Sequence, residues 1–203
     1  MANSFLHWFD QAFHGKDGPA QFAKARLIRY ADDFVIMARF MGRRITDWVE
    51  YVIEERLDLT INREKTSVVR LREQGESLDF LGYTFRYDRD LHGRDRRYLN
   101  RVPSKKSLLK ARSRIRELTD KSRGFLPAGI VVRQLNDFLR GWSNYFRYGY
   151  PQKARRDLDR YVQERLIGFL KRRSQRPSKP PEGMSWYAYI YQRLGVIQLS
   201  RKR

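Results

Sequence analysis

The sequence predicts an α+β protein in which antiparallel strands with one helix come first and an all-helical part follows. Three observations lead there. Short apolar runs between polar turns fill residues 1–102. Apolar residues at helical spacing fill residues 103–203, and Pro103 stands where one pattern gives way to the other. The charge divides at nearly the same place. Residues 1–100 hold 17 Lys and Arg against 16 Asp and Glu, whereas residues 101–203 hold 26 against 7, so nearly all of the +20 net charge lies in the second half.

Taken in order, residues 27–30 and 34–37 are apolar runs on either side of Ala31-Asp32-Asp33. They predict two strands joined by a tight polar turn. Ile45, Trp48, Val49, Val52 and Leu57 recur at helical steps, and Thr46 or Asp47 is the expected cap. Residues 67–71 and 78–87 read as strands, and the polar stretch 88–97 as a loop or hairpin tip. Beyond Pro103, Ser104 is expected to cap a helix with Leu108, Ala111, Ile115 and Leu118 on one face. Gly124 and Pro127 end it. The next helix is expected over 128–148, with Val131, Leu135, Phe138, Trp142 and Tyr145 inward and Gly141 as a point of kinking or division. A third spans 153–173, with Leu158, Tyr161, Val162, Leu166 and Phe169 inward. A Pro-rich linker from Arg176 to Gly183 then leads to a short aromatic helix over 184–194.

Composition narrows the function. With 203 residues, 41% of them hydrophobic, the chain has enough apolar mass for a core. The absence of cysteine excludes a disulfide framework and a thiolate zinc site. His7, His14 and His92 are scattered and suggest no metal site. No apolar run reaches the roughly 20 residues of a membrane span. The N-terminal MANSFLHWFDQAFHG has neither the basic nor the apolar region of a signal peptide, so the cytoplasm is the expected compartment. A one-sided excess of Lys and Arg points to a polyanion, nucleic acid before others, because cations that neutralise phosphates release counterions. A basic surface without a dedicated ligand is the plainer alternative.

Two features bear on chemistry. Adjacent carboxylates at a hairpin turn, Asp32 and Asp33, suit a hard cation such as Mg²⁺, which accepts few protein oxygens and keeps positions open for phosphate. Two such ions about 4 Å apart activate a 3′ hydroxyl and stabilise a leaving pyrophosphate. An ordinary Asp-Asp turn is the competing explanation. The other feature is the helix from Lys105 to Arg123. One apolar stripe is surrounded by Lys105, Lys106, Lys110, Arg112, Arg114 and Arg116, with only Glu117 and Asp120 to balance them. That pattern suits contact with a phosphate backbone, against the alternative of a solvated helix face.

Four motifs in order then carry a family resemblance. Residues 29–35, Arg-Tyr-Ala-Asp-Asp-Phe-Val, resemble the YADD box of reverse transcriptases. Residues 62–66, Asn-Arg-Glu-Lys-Thr, resemble the next block, and residues 80–85, Phe-Leu-Gly-Tyr-Thr-Phe, the hairpin that grips the primer. Residues 135–149, LNDFLRGWSNYFRYG, resemble the maturase-specific domain of group II intron proteins. The chain is thus similar to bacterial group II intron-encoded reverse transcriptase/maturases from the palm onward. The resemblance implies a partial antiparallel palm over 1–102, from the end of the fourth block, and a basic helical thumb and maturase domain over 103–203.

It implies roles as well. Asp32 would be the metal-ligating catalytic carboxylate and Asp33 its neighbour. Tyr30 and Ala31 would lie by the primer terminus and nucleotide. Leu81 and Gly82 would set backbone against the primer, a Gly in a strand fitting close approach. Lys65 matches the lysine proposed to protonate departing pyrophosphate, with a surface lysine as the alternative. The third metal carboxylate and the fingers of the family have no match. Asp10 and Asp17 read as surface residues of a helix end and a loop. The chain alone is therefore expected to bind RNA, assisting intron folding and splicing, rather than to synthesise DNA. Mg²⁺ is expected only where another chain completes the site. Arg140, Asn144, Arg147, Arg155 and Arg156 join the first-helix cations as RNA contacts. Trp142, Tyr145, Phe146, Tyr148 and Tyr150 have rings able to stack on bases, but helical spacing assigns Phe138, Trp142 and Tyr145 to the core. Intron RNA is the expected partner. DNA, a chain supplying the missing N-terminal blocks, and a second copy of this chain are further ones, and no membrane is expected. Half of a split polymerase, a decayed remnant and a general nucleic-acid binder remain as alternatives.

Overall fold

A computed structural model describes residues 2–90, 96–173 and 179–201. The predicted tip around His92 and the start of the linker at Arg176 lie outside the described residues. The chain packs as two compact units, Met1–Val69 and Arg70–Arg203.

In the first unit, α1 (Ala2–His14) places Phe9 and Phe13, four residues apart and so on one face, at full burial. A short α2 (Pro19–Phe22) starts on Pro19, where a missing N–H costs nothing. The expected hairpin is present: β1 (Arg26–Tyr30) pairs antiparallel with β2 (Asp33–Met37), Leu27 opposite Ile36 and Arg29 opposite Phe34. Leu27, Phe34 and Ile36 pack on Phe9, Phe13, Ala25, Val52 and Ile53. Strand alternation puts Ile28, Tyr30 and Met37 on the other face, where all three are exposed. No third described strand joins this sheet.

The helix expected around Trp48 is α3 (Arg43–Glu50), continued by a π-helical turn, Tyr51–Arg56. Neither Thr46 nor Asp47 caps it. Gly42 holds the N-cap position without a side-chain bond, and the Thr46 hydroxyl donates to the Arg43 carbonyl at 2.8 Å inside the first turn. The strand expected over 67–71 does not form. Val68 there is exposed, and an apolar run becomes a strand only where a neighbouring edge pairs with it.

In the second unit, β3 (Ser77–Phe80), β4 (Tyr83–Arg89) and β5 (Arg97–Pro103) form an antiparallel meander in that order. The single strand expected over 78–87 is therefore two. Leu81 and Gly82, expected inside it, make a two-residue turn with φ of +49° and +78°. Positive φ at both positions marks the hairpin turn whose twist matches its strands. Tyr83 of β4 packs against the helical core, so this sheet belongs to the unit that holds the helices.

Pro103 ends β5 and α4 (Lys105–Leu118) comes next, with the Ser104 hydroxyl accepting from the Ser107 N–H at 3.2 Å as its cap. A 3-10 turn, Lys121–Arg123, leads to α5 (Ala128–Tyr145) and then α6 (Gln152–Arg172). Gly141 does not divide α5. Ala111, Ile115 and Leu118 of α4, Val131, Leu135 and Leu139 of α5, and Leu158, Val162, Leu166 and Phe169 of α6 form one core. The chain then runs through α7 (Trp186–Ala188) and a π-helical turn, Tyr189–Arg193. Two buried polar side chains anchor residues 195–200. Asn136 donates to the Gly195 carbonyl and accepts from the Ile197 N–H, each at 2.9 Å, and the Asp159 carboxylate accepts from the N–H groups of Leu199 and Ser200, each at 2.8 Å. No described helix is long and apolar enough to cross a membrane.

Candidate nucleic-acid interface

The Asp32–Asp33 turn is built on a clamp. Ala31 adopts a left-handed φ of +52°, and Tyr30 pairs with Asp33 to close the hairpin. Arg29 reaches across the turn: its Nη1 donates to the Ala31 carbonyl at 3.0 Å. Its Nε and Nη2 grip the Asp10 carboxylate, the latter at 2.6 Å. The Asp10 hydrogen bonds raise the Arg29 pKa above its ordinary value against the opposing effect of burial, and the charge of Asp32 adds to them. Asp10 is thus a half-buried ion-pair partner inside α1, not a surface residue at a helix end.

Asp32 and Asp33 are exposed at the tip, beside a Tyr30 that is 65% exposed. Among the described residues no group of three or more His, Cys, Asp or Glu side chains comes together to hold a metal ion. Two solvated carboxylates make an incomplete donor set for a two-ion site. Lys65 closes a turn, its N–H donating to the Asn62 carbonyl at 3.1 Å, and its side chain is exposed. Arg63, two residues before, ties this turn to Glu50 and Glu54 at 2.8 Å each.

In the second unit the Leu81–Gly82 turn is fastened at both carbonyls. Gly82 O accepts from the Ser104 N–H at 2.8 Å and the Ser107 hydroxyl at 2.9 Å; Leu81 O accepts from the Tyr145 hydroxyl at 2.7 Å. The Tyr83 hydroxyl donates to the Tyr145 carbonyl, and burial pushes the Tyr83 phenol pKa upward, which keeps that donor protonated. These bonds tie the hairpin to the start of α4 and the end of α5. Tyr145, expected in the core, is 53% exposed because its hydroxyl reaches over the turn. Trp142 is buried and Phe138 half-buried, as the spacing implied.

The cations separate into two groups. Lys105, Lys106, Lys110, Arg114 and Arg116 of α4 and Arg156 of α6 are exposed. Among the described residues only Arg114 of these six has an ion pair, with Glu117 at 2.8 Å. Arg112 and Arg155 are half-buried, and the Arg112 guanidinium stands 5.6 Å from the Tyr161 ring centroid. Arg140 pairs with Asp137 at 3.0 Å. Asn144 and Arg147 are exposed near the end of α5.

Residues 108–192 match the family model described as the group II intron, maturase-specific domain. No curated protein matches the chain. The matched stretch runs from within α4 to the π-helical turn after α7, so the C-terminal part is group II intron maturase-like. That domain is associated with maturase function in intron splicing.

Proposed function

We propose that the chain binds RNA as a protein of the group II intron reverse transcriptase/maturase kind, helping intron RNA to fold and splice. The observation that carries this is the exposed side of α4. Lys105, Lys106, Lys110 and Arg116 stand there without a carboxylate partner among the described residues, on the helical unit that holds the maturase-specific match. Cations left unpaired by their own protein are available to phosphates. The protein's contribution is then binding energy and charge neutralisation, with the splicing chemistry left to the RNA.

The test is affinity for the group II intron RNA of the same locus against an unrelated structured RNA of equal length, across a salt series. The reading expects the intron RNA to bind tens-fold tighter, on the order of 2 kcal/mol, with the preference surviving at higher salt. Equal binding of both, vanishing together as salt rises, would leave only a general basic nucleic-acid binder.

The exposed face of the β1–β2 sheet favours a second reading, half of a split RNA-directed DNA polymerase. Ile28, Tyr30 and Met37 lie uncovered on one face of the hairpin that ends in the Asp32–Asp33 turn, as they would if another chain covered that face and completed the metal site. Either way the purified chain is expected to extend no primer in Mg²⁺ or Mn²⁺. Extension dependent on Asp32 would overturn that.

A further inference from the structure

The cleft at the end of α5 has a composition that phosphate neutralisation alone does not explain. It is an open hollow of about 380 Å³ between the β3–β4 turn and residues 144–148. Tyr145 and Tyr148, 53% and 50% exposed, line it with Leu81 and Tyr83. Single exposed aromatics are ordinary, but here they share one hollow.

The rings are held in place. Tyr83 and Tyr145 lie stacked with centroids 5.8 Å apart and planes 28° from parallel, and the Tyr145 and Phe146 rings meet at 75° with centroids 4.8 Å apart. The Tyr145 hydroxyl is fixed on the Leu81 carbonyl, so the ring keeps one orientation. Beside it, the Arg147 guanidinium stands 4.7 Å from the Tyr148 centroid and donates to the Tyr148 hydroxyl at 2.6 Å; Arg101 lies 5.5 Å from the same ring. Among the described residues no carboxylate lines the cleft, and Asn144 brings an amide that both donates and accepts.

We infer that this cleft takes an unpaired nucleobase of a single-stranded RNA segment, stacked on the exposed ring of Tyr145 and closed by Tyr148, with the adjoining phosphate on Arg147 and Arg101. An apolar peptide would use the rings but not the guanidinium groups of Arg147, in the lining, and of Arg101, beside Tyr148. A base with its phosphate uses both. This inference rests on the RNA-binding reading and adds to it a requirement for bases.

The experiment compares a short unstructured RNA strand with the same strand carrying stable abasic ribose at every position, using the full chain at fixed salt. Phosphates are equal in the two probes and only the bases differ. The intact strand is expected to bind about tenfold tighter. Tyr145→Leu and, independently, Tyr148→Leu should each remove most of that preference, while Tyr145→Phe, which keeps the ring, should retain it. Tyr148 lies beyond α5, so its variant is informative even where Tyr145→Leu fails to fold. Equal binding of intact and abasic strands overturns this inference and leaves the RNA-binding reading standing. So does a preference that survives both leucine variants. Failure of both strands and of intron RNA to bind overturns the two together.

Discussion

Asp159 shows how much one side chain can hold. It is buried on α6 with no ion pair among the described residues, and its two oxygens take the N–H groups of Leu199 and Ser200 at 2.8 Å each. Those bonds seat Leu199 in the core and, with Asn136 on α5, fix the segment after Gly195. Removing the carboxylate leaves two backbone donors without partners, which is worse than never having formed the bonds. Asp159→Ala is expected to destabilise the second unit by about 3 kcal/mol, read as a lowered midpoint in urea unfolding. An unchanged midpoint would mean that water replaces the carboxylate without loss. Nothing in the sequence singles out Asp159, since an Asp among Arg and Lys on a basic helix looks like a surface ion-pair residue. Ser104 was legible, because a Ser just after Pro103 and before a helical period needs only local chain geometry to act as a cap.

At the scale of elements, the two hairpin turns differ in what keeps them in shape. Each turn carries one side chain in the left-handed region, Leu81 at +49° beside a Gly82 that adopts +78° freely, and Ala31 at +52°. The Leu81 carbonyl is held by the Tyr145 hydroxyl and the Ala31 carbonyl by Arg29. The Arg29 bond offsets the cost of the Ala31 conformation, and Asp10 holds Arg29 in position. Asp10→Ala should therefore cost the first unit about 1–2 kcal/mol, seen as a lower thermal midpoint for the loss of its tertiary signal. Ala31→Gly introduced into the Asp10→Ala background should recover part of it. If Ala31→Gly recovers nothing, turn strain is not what the clamp opposes. The β1–β2 hairpin was legible because two short apolar runs flank an obvious polar turn. The strand expected over 67–71 does not form, because a short apolar run carries no information on whether a partner edge exists. The clamp was out of reach for a related reason: Asp10 and Arg29 are 19 residues apart and meet only once α1 lies on the sheet.

The charge of the whole molecule divides along its two units. Met1–Val69 holds ten basic and ten acidic residues, and Arg70–Arg203 holds 33 and 13, so the entire +20 belongs to the unit with the helices. That excess was legible at once; which cations are free to meet a polyanion was not. Burial takes Arg112 and Arg155 partly out of reach, and acidic neighbours engage Arg114 and Arg140, four positions that the sequence alone does not set apart from the rest. Lys105, Lys106 and Lys110 remain exposed at the start of α4 with no carboxylate to satisfy them among the described residues. Each phosphate contact contributes roughly 0.7–0.9 to the slope of log affinity against log salt. Replacing all three lysines with glutamine should therefore weaken RNA binding across sequences and lower that slope by up to about 2–3. The helix should persist, because glutamine is nearly as good a helix former as lysine and none of the three is buried. Circular dichroism checks the fold and a salt titration of binding checks the slope. A slope that stays the same with the helix intact would move the phosphate contacts away from α4, and the exposed cation of α6, Arg156, would be the next to change.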